Sequence, residues 1–337
     1  MFATIPKEVL PDVYLIEVPL PENPLRNLNS YFIRGKDRNL LIDTGFNREE
    51  CYEALAGALA ELGEDRDRTD LFITHMHSDH SGLASRIAGG ASKIYMGEKD
   101  CVYFRQVLSA EGWRDIDGFL FSLGFSEEEI RQNHLTNPIR KYAPAWDTLW
   151  TPVADGFSLD VGRYRLRAVE TPGHTPGHMC LYEEKQKLLF CGDHVIFDIS
   201  PNIVSWKDER LPLRLYMESL ALIRTFEVKT ALSAHRRAIG DFEKRIDELL
   251  RHHRVRLEEA QNLVEAYPRS TVYAIAAKMT WVSRTGWPGF SVAQKWFAVG
   301  EAAAHLDYLA AEGKITREME GEHFVFFSSA GKNEKQR

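Results

Sequence analysis

The sequence predicts an α/β protein, a four-layer αββα sandwich in which two packed sheets carry helices on their outer faces, followed by a C-terminal winged-helix domain. Three observations predict it. Two strand-rich blocks, one in the first 45 residues and one from about residue 157 to 194, are each joined to stretches of helical spacing. A histidine-rich segment falls where a buried strand gives way to a helix. Beyond residue 240 the pattern turns to three helices and a two-stranded hairpin.

Length sets the domain count. Hydrophobic cores rarely grow past about 250 to 300 residues before a chain splits, so 337 residues imply two domains, 1–240 and 241–330, with SSAGKNEKQR as a frayed tail. An apolar fraction of 44% and a charged fraction of 27% are those of an ordinary soluble protein. No stretch approaches the roughly 20 uninterrupted apolar residues of a membrane span, and no membrane partner is expected. The start MFATIPKEVLPDVYLIEV lacks the basic and long apolar regions of a secretory signal. Cys51, Cys101, Cys180 and Cys191 form no C-x-x-C pair, so the expected location is a reducing cytoplasm, with Cys180 and Cys191 as buried thiols. A net charge of −7 offers no general attraction to phosphate backbones.

Taken in order, DVYLIEVPL, NSYFIRG and NLLIDTG alternate apolar and polar residues between turn signals and predict successive antiparallel strands. REECYEALAGALAELG has helical spacing. DLFIT is a short buried strand, and SDHSGLASRIAGG is a helix opened by a Ser or Asp cap and closed by Gly-Gly. Residues 98–150 form a helical, aromatic-rich insertion near the pocket, ending in the loop KYAPAWDTLW; Phe119, Phe121 and Phe125 are expected to pack as the insertion's own small core. Strands resume in FSLDVGRYRLRAVETPG and in the hairpin HMCLYEEKQKLLFCGD. Past residue 240, Phe242, Ile246, Leu249, Leu250, Leu257 and Val264 recur at helical spacing, STVYAIAAKMTW and SVAQKWFAVGEAAAHLDYLAAEG are further helices, and KITREMEGEHFVFF is the wing.

The chemistry is concentrated in THMHSDHSG, where His75, His77, Asp79 and His80 fall within six positions. Neutral imidazole and carboxylate are the ligands that zinc, iron or manganese take. His75 and His77, two apart on an extended loop, can face one way and share one ion, whereas Asp79 and His80 turn into the helix and can reach a second. Three further strand exits carry such residues: His174 and His178 in ETPGHTPGH, Asp193 and His194 in FCGDH, and His235 in LSAHR. His178, four residues past His174 on an expected strand, is read as a structural hydrogen-bonding residue.

H-x-H-x-D-H, then G-H-T-P-G-H, then G-D, then a late A-H resembles, in this order, the metallo-β-lactamase fold superfamily over residues 1 to about 240. The strand-rich halves followed by a winged helix resemble the branch of hydrolases bearing a lactamase-associated winged-helix domain, and GDHVIFDISPNI is also like that branch. The resemblance implies two divalent metal ions, with zinc expected and iron or manganese as alternatives. It puts His75, His77 and His174 on the first, Asp79, His80 and His235 on the second, and Asp193 between them, with Asp43 orienting ligands rather than binding metal. Asp79 would also orient the attacking hydroxide and so be catalytic. His194 is placed in the catalytic set as well, either lining the pocket or donating from behind it.

Two metals a few ångströms apart can hold a hydroxide on one side and stabilise the leaving atom on the other. The expected activity is therefore hydrolysis of a small ester, thioester or lactone, as in the glyoxalase II relatives the site resembles. The alternatives are a phosphodiesterase or endoribonuclease on single-stranded RNA, a mononuclear iron dioxygenase of persulfides, and a non-enzymatic metal-stabilised binding protein. Duplex DNA is not expected as a partner. The helix before the wing offers Lys295 against Glu301, Asp307 and Glu312, and residues 241–337 hold 14 basic and 14 acidic side chains. The domain is expected to pack beside the active-site mouth or to pair two subunits in a homodimer, with Trp281, Trp287 and Trp296 as packing or rim residues.

Overall fold

The computed structural model describes residues 4–206, 211–283 and 285–329. The first sheet begins with four antiparallel strands, β1 (Lys7–Leu10), β2 (Val13–Pro19), β3 (Asn27–Ile33) and β4 (Asn39–Ile42). Helix α1 (Glu49–Glu61) then crosses over to β5 (Thr69–Ile73), and from there the sheet is parallel through β6 (Ile94–Gly97) to β7 (Trp150–Val153). Between β5 and β6 the expected single helix is two short ones, α2 (Ser78–Ser81) and α3 (Ala84–Ile87). The break has a steric cause: a Cβ on Gly82 would lie 2.5–2.6 Å from Asn47 N, Ser78 O and Gly45 O, so the chain turns where only glycine fits against its neighbour.

Between β6 and β7 run α4 (Glu98–Leu108), α5 (Ala110–Leu123), α6 (Glu127–Thr136) and α7 (Pro138–Tyr142). The second sheet is β8 (Ser158–Val161), β9 (Tyr164–Glu170), β10 (Met179–Glu183) and β11 (Leu188–Gly192), all antiparallel, closed by β12 (Thr230–Ser233), which pairs parallel to β11 after helix α8 (Pro212–Arg224). The pleat divides β3 cleanly. Tyr31 and Ile33 face the inter-sheet core with Phe72, Leu166, Leu181 and Phe190, while Phe32 turns outward to pack with Leu55 and Leu59 of α1. Each such fully buried side chain contributes about 1.5–3 kcal/mol.

The C-terminal unit is α9 (Phe242–Ala266), β13 (Ser270–Thr271), α10 (Val272–Ala276), α11 (Val292–Ala311) and the hairpin of β14 (Ile315–Glu320) and β15 (His323–Ser328), with β13 pairing β15. It shares its core with the second sheet: Val169, Cys180, Leu189 and Cys191 belong to one buried cluster with residues of α8, α9 and α11. The insertion joins that cluster rather than forming a core of its own. Leu120, Leu123 and Phe125 are buried in it, and Phe121 lies against His323, whose Nδ1 is 2.8 Å from the Phe121 carbonyl.

Helix α11, capped by Ser291 in a reciprocal box with Gln294, is buried at every residue from 298 to 306. The helix expected before the wing therefore presents no free face there for a nucleic-acid groove. Its Lys295 pairs with Glu129 of α6 at 2.8 Å, so that cation is committed internally. No helix among the described residues is long and apolar enough to cross a membrane.

Candidate metal centre

The histidine loop leaves β5 under tight constraint. Asp43, just past β4, sits at φ 60°, a conformation aspartate tolerates better than most residues. Its carboxylate accepts from the Thr74 N–H at 2.8 Å and from the Thr74 hydroxyl at 2.9 Å. Asp100, at the start of α4, accepts from Met76 N at 2.8 Å, Thr175 Oγ1 at 2.7 Å and Gly177 N at 2.6 Å, tying the H-x-H loop to the loop that carries His174. Gly177 is required there, because a Cβ would come within 2.3 Å of Asp100 N.

All seven residues expected as ligands converge from four strand exits. Their donor atoms form three overlapping groups, His75–His77–His174, His75–His80–Asp193 and Asp79–His80–His235, each within 4.8 Å. His75 Nε2 lies 3.1 Å from His77 Nδ1, and His80 Nε2 lies 3.2 Å from His235 Nε2. Asp193 turns Oδ2 to His174 Nε2 at 3.5 Å, and Oδ1 to His80 Nε2 at 3.5 Å and His235 Nε2 at 3.4 Å. Asp79 Oδ2 is 3.4 Å from His235 Nε2. Ligand atoms around a tetrahedral zinc, with bonds of about 2.0–2.1 Å, stand roughly 3.4 Å apart, so this spacing suits a shared cation.

The far ring nitrogens decide what those atoms are. His80 Nδ1 donates to Asp43 Oδ2 at 2.8 Å, His235 Nδ1 to the Asn27 carbonyl at 2.9 Å, and His174 Nδ1 to the Asn202 carbonyl at 2.8 Å. Each partner only accepts, so each neutral ring must carry its proton on Nδ1 and turn an Nε2 lone pair inward. Lone pairs facing one another or a carboxylate at 3.2–3.5 Å repel unless a cation or proton lies between. His174 Nε2 and Asp193 Oδ1 are buried with no hydrogen-bond partner. The residues present fit divalent metal ions.

Electrostatics agree. Burial and the neighbouring histidines hold His75 well below the usual histidine range, and burial with His174 beside it brings His77 down to about 3. Burial likewise lowers His174. Burial would also lower His80 and His235, but carboxylates outweigh it, Asp43, Asp193 and Asp79 at His80 and chiefly Asp193 and Asp79 at His235, and both are raised. Their protons stand where a cation would. Burial would raise Asp79, yet His80 and His235 pull it down to about 2, and Asp193 is also held well below the carboxylate range.

His194 falls outside this constellation. It is fully buried, both ring nitrogens lack partners, and its ring lies 5.8 Å from His178 and 4.9 Å from Tyr216. The turn after Gly192 (φ 51°) brings Asp193 to the cluster, while the His194 ring lies against Tyr216 of α8. His178 holds the bridge in place: its Nδ1 pairs with Thr171 Oγ1 at 2.8 Å and its Nε2 accepts from Asp193 N at 3.2 Å.

Sequence reasoning did not single out Asp100, Thr74, Asn202, Tyr103 or Trp206. Trp206 lies face to face with His77, ring centroids 6.3 Å apart and planes at 28°, and meets Tyr103 of α4 at 5.9 Å. Only Asn202 left a trace, as part of GDHVIFDISPNI.

Two sheets that deliver histidines and carboxylates from their strand ends to one cation-binding cluster define a metal-site enzyme of αββα architecture. Residues 24–235 match the Metallo-beta-lactamase superfamily and residues 289–330 the Metallo-beta-lactamase-like, C-terminal domain. The first match covers more than half of the chain, which belongs to the metallo-beta-lactamase superfamily and, with its relatives, to the hydrolases of that superfamily. The Probable metallo-hydrolase YqjP of Bacillus subtilis (strain 168) is 24% identical over 328 residues, 94% of this chain and 97% of the relative. Acyl-coenzyme A thioesterase MBLAC2 of Homo sapiens is 28% identical over 193 residues, 53% of this chain and 61% of the relative. Among solved structures, the metallo-beta-lactamase family protein TTHA1429 from Thermus thermophilus superposes with a TM-score of 0.81 at 28% identity, covering 95% of this chain and all of that one.

Proposed function

We propose that this chain is a dinuclear metal-dependent hydrolase, with zinc as the metal, acting on a small thioester. The inward-facing lone pairs of His80, His235 and His174, fixed by Asp43, Asn27 and Asn202, carry the reading. In it His75, His77 and His174 would hold one ion and Asp79, His80 and His235 the other, with Asp193, which faces His174 through Oδ2 and His80 and His235 through Oδ1, between the two groups. When bound, such ions supply water activated near neutral pH and Lewis acidity toward a carbonyl.

The chain's own groups account for the rest. Asp79 keeps 13% of its side chain exposed, so its carboxylate can accept a hydrogen bond from the attacking water and orient it. Water oxygen bonds to the acyl carbon, the carbon–sulfur bond breaks, and the proton leaves on the thiol. Asp100 and Asp43 keep the loop from moving during this exchange. Thioesters are favoured over lactones because relatives that share this site's fold are named thioesterases.

We place the domain boundary near residue 240, in the turn between β12 and α9, and read the C-terminal unit as a winged helix that covers the site rather than reading duplex DNA; its helix, helix, helix, hairpin order and its buried α11 support this. The four buried free thiols suit a reducing compartment such as the cytoplasm.

Elemental analysis with a substrate panel tests the proposal. Two equivalents of zinc and preferential cleavage of thioesters over a lactone, bis-(p-nitrophenyl) phosphate and short RNA are expected. Preference for the phosphodiester or the RNA would overturn the thioester reading.

A further inference from the structure

An apolar cavity of about 60 Å³ lies behind Trp206, whose ring lies against His77. Three separate parts of the chain build it: Trp113, Ile116 and Leu120 of α5, Trp206 of the 204–206 segment, and Trp296 of α11. Trp206 is the shared wall, with one ring both lining the cleft and lying against His77. Helix α11 reaches that wall because Gly300 has no Cβ; one built there would stand 2.9 Å from Val204 Cβ, and the Gly300 carbonyl accepts from Ser205 N at 3.0 Å. The polar side chain of Asn137 at the rim is already spent on Ile139 N and Asn133. An apolar cavity walled by a ring that lies against His77 has the chemistry of a small hydrophobic subsite.

We infer that this cleft is the acyl subsite, taking the first few methylenes of an unbranched saturated acyl chain past Trp206 while the substrate's thioester carbonyl lies at the metal centre. The inference rests on the thioesterase reading for the second half of that statement. No side chain among the described lining residues is charged, so a charged acyl group finds no counter-ion there, and a two-carbon acyl group is too short to reach beyond Trp206. The C-terminal unit therefore contributes to chain-length selection, through Trp296 and Gly300, from outside the metal-binding domain.

The test is a series of saturated acyl-coenzyme A thioesters of two to twelve carbons, assayed on the metal-loaded protein by release of free thiol. Burial of each methylene predicts a rise in kcat/KM of about fourfold over the first several carbons. Ile116→Trp, which fills the cleft from half-buried α5, should flatten the series while leaving the two-carbon substrate within about twofold of the parent. A flat series in the parent, or an equal loss on all substrates in Ile116→Trp with the fold intact by circular dichroism, overturns the inference.

If no thioester is cleaved, the functional proposal fails and the cleft is judged by binding alone. Saturated fatty carboxylates of four to twelve carbons should then shift the tryptophan emission, more tightly with length, and Ile116→Trp should abolish the dependence on length. Absence of any length-dependent binding in the parent overturns the cleft assignment as well.

Discussion

In the dinuclear site proposed above, replacing Asp43 with Asn isolates the role of a residue that would orient a ligand without touching the ions. Asparagine keeps the volume and tolerates φ 60°, so the backbone at this left-handed position is not strained by the change. Its Oδ1 can still accept from Thr74 N, now at 2.8 Å. Its amide nitrogen, however, becomes a donor facing His80 Nδ1, where the carboxylate accepted at 2.8 Å. To avoid two opposed N–H groups the imidazole must move its proton to Nε2, the atom 3.2 Å from His235 Nε2 that has to carry a lone pair. The loss is one hydrogen bond to a charged acceptor, about 1.5–3 kcal/mol, matching the roughly 10- to 100-fold in metal affinity that removal of such supports costs. The expected outcome is that affinity for the second ion falls by about that factor while the first, on His75, His77 and His174, changes little. Titration of metal-depleted protein against a chromophoric chelator resolves the two sites, and a thermal melt checks the fold. Two unchanged affinities, or an equal fall in both, would refute the tautomer argument.

Asp193→Ala removes the carboxylate shared by both groups and should lower occupancy of both ions by elemental analysis, whereas His235→Ala should empty mainly the second. Two ions held tightly in Asp193→Ala would rule out the bridge. His305, buried beneath α9, is pushed by burial down to about 3. The unfolded chain protonates this residue near pH 6.5 and the folded one does not, so stability is lost as pH falls from about 6.5 toward 3, by up to about 1.4 kcal/mol per pH unit. His305→Gln should flatten the pH dependence of urea unfolding by that slope between about pH 6 and 4, and an unchanged slope contradicts the assignment. Gly300→Ala, which places a methyl 2.9 Å from Val204, should cost about 1–3 kcal/mol in the same unfolding assay; a neutral result would mean that the segment yields freely.

The clustered histidines and aspartates were legible because they lie in contiguous motifs at strand exits, where residue type and spacing alone limit what the side chains can do. His75, His77, Asp79, His80, His174, Asp193 and His235 all meet as the motifs implied. The first strands and the β10–β11 hairpin followed from alternation and turn residues. What stayed hidden depends on contacts between distant segments. Asp100 looks like an ordinary acidic residue in a helix's first turn, and only the fold brings Met76 and Gly177 to it. The two-helix break at Gly82 follows from the approach of residues 45 and 47, which helical spacing cannot express. The aromatics of the insertion have the same periodicity whether they pack on one another or, as here, on α9 and α11. His194 adjoins Asp193 in sequence, yet its buried ring packs on Tyr216 of α8, a placement set by the backbone turn and not by residue type.

Asn202 has a consequence for how the two halves of the chain respond to one another. Its carbonyl receives the His174 N–H at 2.8 Å while its side-chain amide donates to Glu301 of α11 at 2.9 Å, and Glu301 in turn lies 3.4 Å from Arg256 of α9. Whatever fixes His174 also fixes the residue that anchors the C-terminal helices, and linkage makes this reciprocal. Cation loading should therefore slow amide exchange along α11, a buried helix far in sequence from any ligand. Loosening α11 should in turn raise the rate at which His174 lets its ion go, so that retention of the cation reports on the integrity of the far end of the molecule.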